Sequence, residues 1–304
     1  MTQVLSTQLD VVNPLQYVGE GLLSNPALFG ALSNPTWLNV GINPVWDFKY
    51  IPEAIEVRKV GQSGRYGKTK VFETALINFR TFINDTYGYP FLKYLFNEGN
   101  GSTVGTIDES IDMVFSHKVA GTTNYTRGRG CLPLSATLTI PEKGLCELSG
   151  QIFVAQPVLI GTSDPKGTGA YASASSGSAW THSEGGSNPV THNGTTYKTK
   201  GFSVSVNREL AVLDSSGDGQ VLWAKPVVKS ISGSMDVFQK DILLLTDFKA
   251  QTSRALSRVI KTAVTTCSMT DVVFEDDPIA IPEGTSADPL MDRLSFSAGT
   301  ISFS

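Results

Sequence analysis

Apolar residues fall on every second position from Leu132 to Ile140 and again from Cys146 to Val154. A turn at Pro141-Glu142-Lys143-Gly144-Leu145 sets Ile140 against Cys146, Leu138 against Leu148, Ala136 against Gly150, Leu134 against Ile152 and Leu132 against Val154. The opposite face then pairs Thr139 with Glu147, Thr137 with Ser149 and Ser135 with Gln151. A period of two, in register on both strands, predicts a half-buried antiparallel hairpin. In this register Cys131 and Cys146 point to opposite faces, which argues against a disulfide between them.

The same alternation recurs along the chain. Ala75, Ile77 and Phe79 share one face of a strand over 70–82, paired with 54–60 across a Gly-rich turn at 61–65. Ile111, Met113, Phe115 and His117 share another face, and Phe202, Val204 and Val206 a third. Ile231, Gly233, Met235 and Val237 alternate after Pro226, and strands are predicted near 264–274 and 293–303. Two stripes have a helical spacing instead: Phe91, Leu92, Leu95 and Phe96, with Pro90 in the first turn, and Ala255, Leu256, Val259 and Ile260. They predict short helices at 90–97 and 252–262. Each half of the chain therefore reads as strands, one short helix, then more strands.

Two stretches break the pattern. The first fifty residues carry Asn-Pro at 13–14, 25–26, 34–35 and 43–44, a turn-forming dipeptide. Leu22, Phe29, Trp37 and Trp46 are too apolar for a solvated tail, so this arm is expected to pack on its own body or on a neighbour. From 161 to 195 Gly, Ser, Ala and Thr dominate, which predicts a surface loop or linker. The resulting organisation is an arm (1–50), a first β domain (51–160), a linker (161–195) and a second β domain (196–304).

Composition narrows the function. Three hundred and four residues suffice for two cores, only 17% are charged, and the net charge is −4. Nothing there gives the basic footprint of a nucleic-acid binder. Met1 to Ser6 lacks the layout of a signal peptide, and no apolar run reaches the about 20 residues needed to span a bilayer. Gly67-Lys68-Thr69 would close a phosphate loop only with Gly at 62, which is Gln62, and it lies between strands. Asp214 to Gly219 starts like a calcium loop, but the closing position is Lys225. Glu275-Asp276-Asp277 reads as a solvated acidic turn. His117, His182 and His192 have no metal-ligand spacing, and no nucleophile elbow or cofactor fingerprint is present. The expectation is a protein without catalytic residues, metal or cofactor.

Four stretches carry a resemblance to the tail tube proteins of tailed phages and archaeal tailed viruses, of the longer, two-domain kind. They are Tyr17 to Glu20; Arg129 to Cys131 leading into Ser135 to Pro141; Phe202 to Glu209 followed by Ser230 to Met235; and Phe296 to Phe303. The resemblance implies a mainly β fold of two tandem tube-like barrel or sandwich domains, each with a short helix, plus an N-terminal arm. It implies a virion tail protein assembled in the host cytoplasm, forming stacked rings through which viral DNA passes without specific binding. Its partners would be further copies of itself and tail proteins such as the tape measure and the tail terminator. Leu134, Leu138, Ile140, Leu148, Ile152, Ile231, Met235 and Phe296 are the candidates for core or inter-subunit packing. Ser135, Thr137, Thr139, Ser232, Ser234 and Asp236 are the candidates for lining the lumen. Two domains per chain would build either a trimeric ring of pseudo-sixfold symmetry or a hexameric one with the second domain outside. The alternatives are a β-sandwich binding module, such as an adhesin or fibre, and another virion component of the capsid or tail.

Overall fold

The computed structural model describes residues 10–22, 35–58, 65–96, 109–156, 158–173, 177–186, 189–214, 221–238, 243–275 and 291–304. The protein is mainly β. The described first half runs β1 (Asp10–Leu22), β2 (Thr36–Asn39), β3 (Ile42–Arg58), β4 (Arg65–Phe82), α1 (Gly88–Phe96), β5 (Glu109–Val119), β6 (Thr122–Ile140), β7 (Glu147–Val154) and β8 (Leu159–Gly161). After β9 (Ala170–Tyr171) and a 3-10 turn at His182–Gly185 come β10 (Val190–His192), β11 (Thr195–Tyr197), β12 (Thr199–Asp214) and β13 (Val221–Phe238). The chain ends with α2 (Leu243–Ala250), β14 (Arg254–Lys261), β15 (Thr265–Phe274), β16 (Met291–Ala298) and β17 (Thr300–Phe303).

The strand pairings repeat. In the first half β3 pairs with β4, β4 with β7, β7 with β6, β6 with β5 and β8, and β5 with β1. In the second, β12 pairs with β13, β13 with β16, β16 with β15, β15 with β14 and β17, and β14 with β10. Each set is a long hairpin, a helix, a second hairpin and a closing strand. The two sets are then joined edge to edge. One edge of β6 takes β7, and the other takes β12, with Leu138 opposite Val204 and Thr137 opposite Ser205. The result is a single antiparallel run, β3-β4-β7-β6-β12-β13-β16.

One face of this run is the core. Ala75, Ile77 and Phe79 of β4 pack there with Leu148 and Ile152 of β7 and Ala136, Leu138 and Ile140 of β6. Phe202, Val204 and Val206 of β12, Ile231 and Met235 of β13, and Leu294 and Phe296 of β16 belong to the same cluster. Burying side chains of this size removes from water enough apolar area to contribute about 1.5–3 kcal/mol each, before entropy is counted. Glycine permits the closest strand approaches. A Cβ on Gly150 would strike the Ser135 carbonyl and the Phe79 ring, and one on Gly233 would strike the Phe296 ring.

The predicted hairpin register holds from Leu138–Leu148 to Ser135–Gln151, then slips by one residue at a bulge between Pro133 and Ser135. Proline has no N–H to give the ladder, so the strand absorbs an extra residue there. Leu134 is that residue. It ends half-buried instead of facing Ile152, and Pro133 takes its place. The slip also turns Cys131 to the side of Leu138, so Cys131 and Cys146 are both fully buried, and both are free thiols.

The first helix agrees with its prediction, and Asn84 Oδ1 accepts from the Tyr87 and Gly88 amides at 3.1 and 3.0 Å to start it. The second does not. Residues 254–261 are β14, with Leu256, Arg258 and Ile260 buried, and the helix precedes them at Leu243–Ala250. A buried arginine at every-second spacing made a β pattern look helical.

The described parts of the expected arm are strands of the body: Leu15, Tyr17, Trp37 and Val40 are wholly buried. Of 161–195, residues near Asp164 form an exposed loop, tied by Tyr125 and Tyr171 hydroxyls donating to Asp164 at 3.1 and 2.7 Å. Elsewhere in this stretch the described residues Trp180, Val190 and His192 have no exposure. A few large side chains anchored by main-chain pairing order a stretch whose average composition is polar. The expected turn at 61–64, the loop at 215–219, Asp276, Asp277, and arm residues 1–9 and 23–34 lie outside the described residues.

Candidate functional site

The face opposite the core carries polar rows across the run, with Leu76, Phe82 and Phe153 as apolar members on β4 and β7, and the seam between the halves does not interrupt the rows. Cross-strand partners carry one row from β4 to β16: Arg80, Ser149, Thr137, Ser205, Ser232 and Ser297. A second row runs Glu147, Thr139, Ser203, Ser234 and Ser295, and a third Asn78, Gln151, Ser135, Asn207 and Ser230. Alternation by two sets this out, because the residues between these are the core positions. Ser135, Thr137, Thr139, Ser232, Ser234 and Asp236, predicted as two separate polar strips, therefore lie on one surface. The sequence reading missed Ser203, Ser205 and Asn207, which join the strips; their alternation with Phe202, Val204 and Val206 was visible, but their neighbours were not.

Side-chain hydrogen bonds link neighbouring strands across this surface. Thr137 Oγ1 and Ser205 Oγ lie 2.9 Å apart across the seam, and Gln151 Nε2 donates to Asn78 Oδ1 at 2.9 Å. Arg80 is paired with Glu147 at 2.5 Å, which cancels its charge locally. Hydroxyls and amides both donate and accept, so the face offers both kinds of hydrogen-bonding group.

Behind the face, the seam is locked by contacts between the halves. Arg208 of β12 donates through Nη2 to the Leu95 carbonyl of α1 at 2.6 Å, and Phe96 of α1 meets Phe303 of β17 edge-on at 5.1 Å. Trp180 is inserted as a clasp. Its amide donates to the Ile83 carbonyl at 2.9 Å, and its carbonyl accepts from the Cys146 amide at 2.7 Å. Its Nε1 donates to Asp85 Oδ1 at 2.8 Å, and Lys261 Nζ from the second half reaches the same carboxylate at 2.7 Å. The hydrogen bond from Lys261, followed by the one from Trp180, holds the Asp85 carboxyl below its ordinary range against partial desolvation.

Two edges bound the run. Among the described pairings β3 has β4 alone, leaving its outer edge unpaired, and Val45 and Tyr50 there are 60% and 39% exposed. Beyond Ala75 the β3–β4 hairpin has no third strand, and the β12–β13 hairpin likewise projects beyond Asn207 and Ile231. Among the described residues no group of three or more His, Cys, Asp or Glu is placed to hold a metal ion. Lys68 and Thr69 lie on β4 opposite Glu56 and Ile55, in a ladder and not at the start of a helix.

A duplicated antiparallel sheet with a hydroxyl-lined face, projecting hairpins and an unpaired edge defines an assembly protein. The phage tail tube protein family matches residues 1–298, and the chain belongs to that family. It is a structural component of the virion tail. No curated protein matches the chain.

Proposed function

We propose that copies of this chain close into rings whose bore is lined by the Thr137–Ser205–Ser232 face, and that stacked rings form the conduit for viral DNA. The observation that carries this reading is the β6–β12 seam. It shows two repeats already joined edge to edge, with core behind and hydroxyls in front. Repeated between molecules, the same seam sets the free edge of β3 against the end of β15 in the next copy, because β3 is the counterpart of β12 and β15 that of β6. Each chain supplies two repeats, so three chains complete a ring of pseudo-sixfold symmetry. Head-to-tail stacking then propagates as a filament, and the projecting β3–β4 and β12–β13 hairpins reach the adjoining ring.

A surface of Ser, Thr, Asn and Gln with paired charges releases no counterions from a phosphate backbone, so DNA slides without being held. The work of the protein is mechanical, with no chemical step. Inside the host cytoplasm the growing tube would enclose a tape measure protein and end at a terminator. Electron microscopy of the purified chain, dilute and concentrated, tests the reading. Hollow rings or tubes of constant diameter, three-fold in end view with six similar lobes, are expected. Monomers at every concentration, or sixfold rings carrying a second lobe outside, would overturn it.

A further inference from the structure

Arg258 of β14 is fully buried, and none of its guanidinium nitrogens has a hydrogen-bond partner. Its surroundings explain why this matters. The groups that feel its charge are Cys146 from the β6–β7 connection, Cys267 opposite it on β15, and His182 on the 3-10 turn. Burial pushes the Cys146 thiol up to about 12 and the Cys267 thiol higher still, so both are neutral and neither is a counterion. Burial, and then the Arg258 charge, holds His182 below its ordinary value. The carboxylate on the same turn, Glu184, is engaged by Lys261 at 3.3 Å. Arg258 itself is lowered by desolvation only to about 10, which leaves it charged at neutral pH.

An unpaired guanidinium inside a protein opposes folding on the scale of the whole domain's stability. Among the described residues the guanidinium has two neutral thiols and His182 beside it, and no carboxylate pairs with it. Water would satisfy the geometry but not the charge. Gly185 lies beside the guanidinium: a Cβ there would stand 3.4 Å from Arg258 Nη1. A depression of about 330 Å³ is lined by Glu142, Gly144, Leu145, Thr181, His182 and Ser183.

We propose that the buried Arg258 guanidinium at the seam, beside Cys146 and Cys267, binds a small monovalent anion of halide size. The anion neutralises the buried guanidinium and joins the β6–β7 connection of the first half to β14 and β15 of the second. The site stands on its own, whether or not the ring reading is right.

Two measurements test it. The first is thermal unfolding of the full chain in sodium chloride and in sodium gluconate at matched ionic strength, gluconate being too large for an enclosed site. The melting temperature should rise in chloride, by a similar increment for each tenfold increase above the dissociation constant. Arg258→Met should remove that dependence. The second is diffraction from crystals of the unmodified chain soaked in sodium bromide, which needs no variant to fold. An anomalous peak within hydrogen-bonding reach of the Arg258 guanidinium is expected. Water density without anomalous signal there would overturn the proposal, as would a carboxylate from a neighbouring copy filling the site. A chloride response that persists in Arg258→Met would do the same.

Discussion

The two helices occupy equivalent places in the two halves and have different surroundings. In α1, Phe91, Leu92, Tyr94, Leu95 and Phe96 are all buried. In α2 only Leu244 and Asp247 are, and Asp247 owes its place to His192 at 2.9 Å and to Arg254. The difference comes from what stands beside each helix. Following α1 in space is the second half, which supplies Arg208 and Phe303. Among the described residues α2 meets β15 of its own half. The first half thus packs its helix against the second, and on the ring reading proposed above a neighbouring copy would stand beside α2.

Breaking the seam between the halves should have the largest effect. Leu138 is fully buried opposite both Leu148 and Val204. Leu138→Asp puts a lone carboxylate there and should cost roughly 3–5 kcal/mol, much of a typical domain's stability. Loss of the folded signal in circular dichroism, or a steep fall in melting temperature, is the expected result.

The unpaired edge of β3 should respond differently. Successive N–H groups of β3 point alternately toward β4 and toward the free edge. Proline at Asp47 and proline at Phe48 should therefore diverge. One removes a ladder bond to β4 and destabilises the monomer by about 3 kcal/mol or more. The other leaves the monomer's melting temperature nearly unchanged and abolishes rings in micrographs. If both variants assemble, β3 is not the docking edge.

Smaller is the effect of crowding the closest strand contact in the second half. Gly233→Val drives a side chain into the Phe296 ring and should cost about 1–3 kcal/mol, read from denaturant unfolding. Smallest is the pH dependence of the clasp. Asp85 is held below its ordinary 3.8, so its stabilising contribution is complete above that value and is lost as pH falls through the lower folded one. Its side chain is 57% exposed, and water screens the pair. A slight drop in melting temperature at acid pH, absent in Asp85→Asn, is the expected measurement.

How far the sequence was legible follows from the same contrast. The Leu132–Val154 hairpin and the faces of β4, β12 and β13 were readable because solvent exposure alternates with the pleat, and side chains record it. The bulge at Leu134 was signalled by Pro133, yet its consequence, bringing Cys131 to the core side, needed the strand path. Residues 254–261 were misread because Arg258 occupies an interior position that hydrophobicity does not mark. Trp180 and His192 were lost in a stretch judged by its average.

By itself the sequence determined a mainly β protein, the strands of its central hairpins, the apolar side of each, and the hydroxyl character of the other. Only the tertiary structure decided that β6 takes β12, making two halves one sheet and two polar strips one surface. The reason is physical. Side chains encode which face of a strand is wet, but an edge presents the same N–H and C=O groups whatever the residue, so its partner is chosen by how the rest of the chain brings edges together.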